Sequence, residues 1–323
     1  SLWAMTSRLG LPTPAGFTIG VNTCAMLDKS GVTEDFTATM DNAIARLEAK
    51  TGRQLGNREN PLLLAVRSGA SVSMPGMMET ILNVGVTQVT LPALRNITGD
   101  HLFALHSYQR FLEGFCRSVL CIDLCIFDAQ TQEKLELADR IKNLEAVVGE
   151  QIGAERLCDA RYLLNECIHA VIRSSHGTTA QAYRKKTGLP ESLGTAVTVQ
   201  AMVFGNTGAR SGTGVAFSRD PNSGEKKICG DWISNAQGDD VVAGDSATSD
   251  ISVFGATHPS AYEELKLHLE HLEIFYQDMV DVEFTVDQGK LWILQARVGK
   301  RTARAASRIA VELANSERFE LNK

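Results

Sequence analysis

Hydrophobic and polar positions change their period several times along the chain. Phe36, Met40, Ile44 and Leu47 recur every three or four residues, which predicts an amphipathic helix over 34–51. Residues 12–20 read as a turn entering a short strand, and 62–66 form a compact apolar run suited to a buried strand. A small-residue loop follows over 67–76, with a helix starting near Met77. Residues 98–172 contain few Gly or Pro; Leu102, Leu105, Tyr108, Phe111, Leu112 and Phe115 mark one helix there, and 135–148 and 157–172 read as others. From Ala196 the pattern turns to strands: 196–204, then 213–218 paired with 226–233 across a turn at 221–224. A helix over 259–280, a hairpin over 281–297 and a helical end from about Thr302 complete the prediction. The order is α/β, then all-α, then α+β.

Composition narrows the function classes. With 44% hydrophobic and 22% charged residues in 323, the chain fits a soluble globular protein. A formal net charge of −6 makes it a poor candidate for non-specific nucleic-acid binding, although a few convergent cations can still hold a polyphosphate. No apolar run is long enough to span a bilayer, and Ser1, Leu2 and Trp3 do not open a signal peptide, so the expected location is cytoplasmic. Seven scattered cysteines without CxxC spacing read as buried thiols in a reducing compartment, and the seven histidines show no HxxxH or HExxH pattern.

Three stretches carry candidate chemistry. Arg67, Gly69 and Ser71 open the small-residue loop after the apolar run; backbone N–H groups and a helix N-terminus there could face a phosphate, with Arg67 adding a fixed cation. Composition alone favours the plainer reading, a surface loop with a solvated arginine. Gln200, Met202 and Val203 lie in a strand that could flank an adenine, or could be core. Asp281 and Glu283 are two apart and so share one strand face, as do Gln295 and Arg297 on the next strand. Paired carboxylates on one face suit Mg²⁺, which takes one or two carboxylates plus substrate phosphates; an exposed polar hairpin is the alternative. Gly212-Thr213-Gly214 and the 235–240 segment are only suggestive.

If the four hairpin residues serve one site, they must share a face. A three-residue loop, Asp287, Gln288 and Gly289, achieves this: Asp281 then opposes Gln295 and Glu283 opposes Ile293. Val282, Phe284, Trp292 and Leu294 would form the apolar layer, with positive φ at Gly289.

Several blocks, in order and over nearly the whole chain, resemble the N-terminal nucleotide-binding domain of the pyruvate phosphate dikinase family. They are 8–17, 66–83 with its Ser73-Met74-Pro75-Gly76-Met77-Met78 core, 194–206, 211–221, 235–244 and 294–302. The resemblance implies an α+β ATP-grasp domain with an inserted helical subdomain, clamping Mg·ATP between subdomains. Implied boundaries are an α/β part over 1–97 plus 173–203, helices over 98–172, an α+β part over 204–301, and a helical linker over 302–323 toward a phosphohistidine domain. It places Arg67 and Arg297 on the polyphosphate as catalytic cations, and Asp281 and Glu283 on the metal. Gln295, Gly69 and Ser71 lie beside the phosphates, and Gln200, Met202 and Val203 near the adenine. The implied cofactors are ATP and Mg²⁺; the implied partners are phosphohistidine and pyruvate/PEP-binding domains, with no nucleic acid and no membrane. The family's Gly-x-Lys-Gly-Ala segment, whose lysine contacts ATP phosphates, is not in the sequence, which implies that Mg·ATP binds weakly or not at all. The family's acidic residue after Gly208 is replaced by Ala209 and Arg210, and its Arg-Thr-Pro after Gly244 by 245–250. Alternatives are another ATP-grasp phosphotransferase, such as a phosphoenolpyruvate synthase, or a non-catalytic nucleotide- or partner-binding module.

Overall fold

A computed structural model of the chain describes residues 2–70, 78–124, 136–190, 194–238, 240 and 247–316. The chain divides into two compact units, Ala15–Met202, and Ser1–Pro14 with Val203–Lys323.

In the unit Ala15–Met202 the elements are β1 (Gly16–Ile19), α1 (Val21–Ser30), α2 (Glu34–Thr51), β2 (Leu64–Ala70), β3 (Thr80–Val84), α3 (Leu91–Thr98), α4 (His101–Ser118), α5 (Leu137–Ile152), α6 (Ala160–Ser174), α7 (Thr178–Thr187) and β4 (Thr195–Ala201). The four strands form an antiparallel sheet in the order β1-β4-β2-β3. Alternation sorts its two faces: Leu64, Val66, Ile81, Val197 and Val199 are buried on one, against which α4 and α6 pack. Helix limits follow local chemistry. The Thr33 hydroxyl accepts the Phe36 N–H and Gly52 ends α2 at φ 68°, while Asp100 and Asp159 carboxylates cap α4 and α6 in the same way. The α4 stripe buries Tyr108, Phe111, Leu112 and Phe115, four of the six residues whose spacing predicts the helix; Phe103 is buried with them, whereas Leu102 and Leu105 are not.

One expectation fails here. Residues 67–70 are not a loop but the second half of β2, and 80–84 form β3 rather than a helix begun near Met77. Ile81 pairs with Val66 and Thr80 with Arg67, so Ile81 and Leu82, at helical spacing from Met78, belong to a strand instead. Pairing with a buried neighbour outweighs local period in so short a segment.

In the unit with Val203–Lys323 the elements are β5 (Gly212–Phe217), β6 (Cys229–Ser234), β7 (Ser249–Asp250), α8 (Ile251–Thr257), α9 (Pro259–Tyr276), β8 (Val280–Asp287), β9 (Lys290–Val298) and α10 (Ala303–Ala314). The sheet order is β7-β6-β5-β8-β9, again antiparallel. Val282, Phe284, Val286, Leu291 and Ile293 line its inner face with Trp232, and Phe254, Leu265, Leu269 and Leu272 from α8 and α9 cover them. Residues 1–14 belong to this unit, not with 15–97 as the resemblance implies. Met5 and Leu11 fill its core, and the Pro12 carbonyl accepts the Ile293 N–H at 2.8 Å, covering the open edge of β9.

Gly212 and Gly214, a GxG in sequence, are packing glycines. A Cβ on Gly212 would lie 2.2 Å from Trp232 Cζ2, and one on Gly214 would lie 2.8 Å from Phe284 Cζ. The two rings stack 5.8 Å apart over the space left free. At the far end of the sheet the buried Arg219 guanidinium donates to Glu273 at 2.7 Å and to Glu312 at 2.6 Å, tying α9 and α10 to the end of β5.

The Gly214→Ala variant is expected to lose roughly 1–3 kcal/mol of stability, because neither the Phe284 ring nor the Asp231 carbonyl can withdraw. Urea denaturation measures this; an unchanged midpoint would remove the packing role from the glycine pair.

Candidate nucleotide and metal site

On the sheet of the first unit, Arg67 stands opposite Thr198 on β4 and Thr80 on β3, and Ala65 opposite Gln200. Parity places Arg67, Gly69, Thr198 and Gln200 on the face away from α4 and α6. Arg67 is half-buried and Gln200 buried, so each is held by the sheet rather than by a loop. Gly69 adds a low spot, since a Cβ there would rest 3.5 Å from that of Ala196. Thr18 and Thr198 extend this face, their hydroxyls 3.2 Å apart. Ser71 lies outside the described residues. Beyond the end of β4, the Met202 N–H donates to the Leu63 carbonyl at 2.8 Å, and Val203 opens the second unit.

In the second unit the hairpin sets the geometry, and its register differs from the expected one. The turn has two residues, not three: Asp287 pairs with Lys290, while Gln288 and Gly289 both have positive φ, 51° and 87°. This turn puts Leu291 and Ile293 beside Val286 and Phe284 on the core face. Left uninterrupted, that register would send Gln295 and Arg297 into the core as well. A β-bulge at Leu294 reverses the parity of β9, so Glu283 meets Gln295 and Asp281 meets Arg297. Asp281 therefore opposes Arg297 rather than Gln295. Trp292 and Leu294 are not in the apolar layer: Trp292 lies on the polar face under the Lys290 ammonium, 4.1 Å from its ring centre. The four polar residues do share one face, Phe284 lies on the other, and Gly289 has its positive φ.

On that face Arg297 Nε donates to Asp281 Oδ2 at 2.7 Å, and its NH2 stands 3.8 Å from Glu283 Oε1. Asp281 is 7% exposed, and its Oδ1 is buried with no hydrogen-bond partner among the described residues. A buried carboxylate oxygen without a donor is costly unless a cation completes it. On this face the carboxylates Asp281, Glu283 and Asp287 outnumber the cations Arg297 and Lys290, which leaves it negative. Gln295 is exposed beside them.

The unfamiliar Arg210 is structural: it donates to the Gln288 side chain at 3.0 Å, and its carbonyl accepts the Gly289 N–H at 2.8 Å. Of the cysteines, Cys24, Cys116 and Cys167 are buried, and burial pushes the Cys24 and Cys116 thiols up to about 11, so both stay neutral. Cys121 and Cys158 are exposed, contrary to the reading of uniformly buried thiols; Cys125 lies outside the described residues. No helix among the described residues is long and apolar enough to cross a membrane.

A family profile described as "Pyruvate phosphate dikinase, AMP/ATP-binding domain" matches residues 32–262 and 256–318. The chain belongs to this family. It is 41% identical over 340 residues to pyruvate, phosphate dikinase of Giardia intestinalis, covering 97% of this chain and 38% of that protein. The Clostridium symbiosum enzyme is 40% identical over 326 residues, covering 94% of this chain and 37% of that protein. The chloroplastic enzyme of Flaveria trinervia is 38% identical over 328 residues, covering 97% of this chain and 34% of its own length. The chain thus spans little more than a third of these relatives. As an AMP/ATP-binding domain of pyruvate phosphate dikinase type, it presents two polar sheet faces, one with Arg67 and Gln200, the other with Asp281, Glu283 and Arg297.

Substitution Arg297→Gln leaves Asp281 buried without its partner and is expected to cost about 1.5–3 kcal/mol in urea denaturation. Gln295→Ala, at an exposed position on the same face, is expected to stay within about 0.5 kcal/mol. Equal effects from both variants would contradict the burial asymmetry described.

Proposed function

We propose that the chain binds Mg·ATP in an ATP-grasp arrangement, with 98–172 as its helical subdomain, and feeds phosphoryl transfer of the pyruvate phosphate dikinase type. The observation that carries this is the buried, donor-less Oδ1 of Asp281 beside Glu283 and Arg297, in a chain of the AMP/ATP-binding family. Arg67 and Arg297 take the polyphosphate; their planar forks match phosphate oxygens. Asp281 and Glu283 hold Mg²⁺, and Asp281 Oδ1 fits that role because no donor among the described residues competes for it. No group of three or more His, Cys, Asp or Glu side chains converges among the described residues, so the ion's remaining ligands are water and phosphate oxygens. When bound, Mg²⁺ neutralises charge on those oxygens.

Arg297 has two tasks, pairing with Asp281 and taking the polyphosphate. Its Nε is fixed by Asp281 Oδ2, which orients the rest of the guanidinium without an entropic penalty at the moment of binding. Gln295, Gly69 and Ser71 line the phosphates, and Gln200, Met202 and Val203 flank the adenine. In the complete activity, ATP, phosphate and pyruvate become AMP, pyrophosphate and phosphoenolpyruvate. The share of this domain is to present the β- and γ-phosphoryls to a histidine on a separate swivelling domain, ahead of a pyruvate-binding domain. The expected compartment is the cytoplasm.

Calorimetric titration of the full chain tests the reading. Mg·ATP affinity is expected to fall about tenfold or more in Asp281→Asn, the loss of one charged contact. The same variant should lose less affinity for ATP in EDTA, where only the orientation of Arg297 by Asp281 Oδ2 is weakened. Magnesium-independent binding in the wild type would refute the metal assignment.

A further inference from the structure

The face of β8 that bears Asp281 and Glu283 ends in a third carboxylate, Asp287, at the same parity. Its two oxygens are both engaged by one loop. Oδ2 accepts the Phe204 N–H at 3.1 Å, and Oδ1 accepts the Thr207 hydroxyl at 3.2 Å. Because an ionised carboxylate only accepts, the order of the hydroxyls follows: Thr207 donates to Asp287, Ser211 Oγ donates to Thr207 at 2.8 Å, and the Gln288 N–H donates to Ser211 Oγ at 3.0 Å. The Gln288 side chain reaches the Thr207 carbonyl, and the Gly289 N–H reaches that of Arg210. Gln288 sits at φ 51°, a conformation better suited to Gly or Asn, and this set of bonds holds it there. Turn and loop therefore form one clasp.

Phe204 immediately follows Val203. We propose that Asp287 is a positioning residue: by clamping Phe204 and Thr207 it fixes Val203 relative to Asp281 and Glu283, so that adenine recognition and metal-phosphate recognition are held at a set distance along one strand. Asp287 lies six positions beyond Asp281, about 20 Å at the rise of an extended strand, comparable to an extended nucleoside triphosphate. This rests on the nucleotide reading above and assigns Asp287 no contact with ATP; it acts through the loop. Its loss should therefore weaken ligands that carry a base and spare those that do not.

The test is calorimetric titration of the full chain with Mg·ATP and with magnesium tripolyphosphate, in the wild type, Asp287→Asn and Asp287→Ala. Mg·ATP affinity is expected to fall about tenfold in Asp287→Ala and less in Asp287→Asn, whose single acceptor oxygen keeps one of the two bonds. Tripolyphosphate affinity is expected to hold within about twofold, since the phosphate-side groups are untouched. Amide exchange at Phe204 should accelerate in the same order. Should Asp287→Ala fail to fold, the isosteric Asp287→Asn carries the same comparison. Equal loss for both ligands, or undiminished Mg·ATP binding with unchanged exchange at Phe204, would overturn the assignment. A wild type that binds neither ligand would overturn the nucleotide reading itself, and this inference with it.

Discussion

A β-strand alternates its side chains with a period of two, and the β8–β9 hairpin must satisfy two demands on that alternation at once. Its inner face has to complete an apolar core under α8 and α9. Its outer face has to gather Asp281, Glu283, Gln295 and Arg297. On β8 the two sets fall naturally on opposite parities. On β9 they do not: Leu291 and Ile293 share parity with Gln295 and Arg297. The bulge at Leu294 resolves the conflict by spending one residue to reverse the strand. The Arg297–Asp281 contact and the pairing of Glu283 with Gln295 depend on that single reversal.

The turn that sets the register is itself over-determined. Gln288 occupies a left-handed conformation that costs a non-glycine residue free energy. The loop 204–211 stabilises it through backbone and side-chain hydrogen bonds, and Arg210 is part of that support. Strain at the hairpin tip is thus offset by a neighbouring loop, as is common where backbone conformation and a binding function are linked. The glycines of β5 show the complementary device. Removing side chains at Gly212 and Gly214 lets Trp232 and Phe284 stack across the sheet and anchor the core end of the hairpin.

Charge is handled differently at the two buried carboxylate sites of this unit. Around Glu273 both oxygens are engaged, by Ser218 and Arg219, and the network fastens helices to the sheet. At Asp281 one oxygen is engaged by Arg297 and the other has no donor among the described residues. A structural ion pair favours complete satisfaction, whereas a binding site keeps an acceptor in reserve for its ligand. This contrast, more than the count of acids, is what the proposed binding role of Asp281 rests on.

Much of this was legible in the amino-acid order. Helical spacing marked α2 and α4 because one buried stripe per helix repeats over four or five turns, and alternation marked β4, β5, β6 and both hairpin strands. Family resemblance, carried by blocks spread across the chain, named Arg67 and Gln200, which lie on one sheet face, and Asp281, Glu283 and Arg297, which lie on a face of the other sheet. What sequence alone could not decide was register and partnership. The segment after Met77 has helical spacing, yet becomes β3 because β2 offers it a buried neighbour. The bulge at Leu294 leaves no local signature, since its advantage arises only when both faces of a paired strand are occupied. Residues 1–14 join a unit 200 positions away because Met5, Leu11 and Pro12 find their apolar and hydrogen-bonding partners there. Composition and period fix which residues seek burial; which surfaces bury them is settled by contacts between segments distant in sequence, and only the tertiary structure contains those.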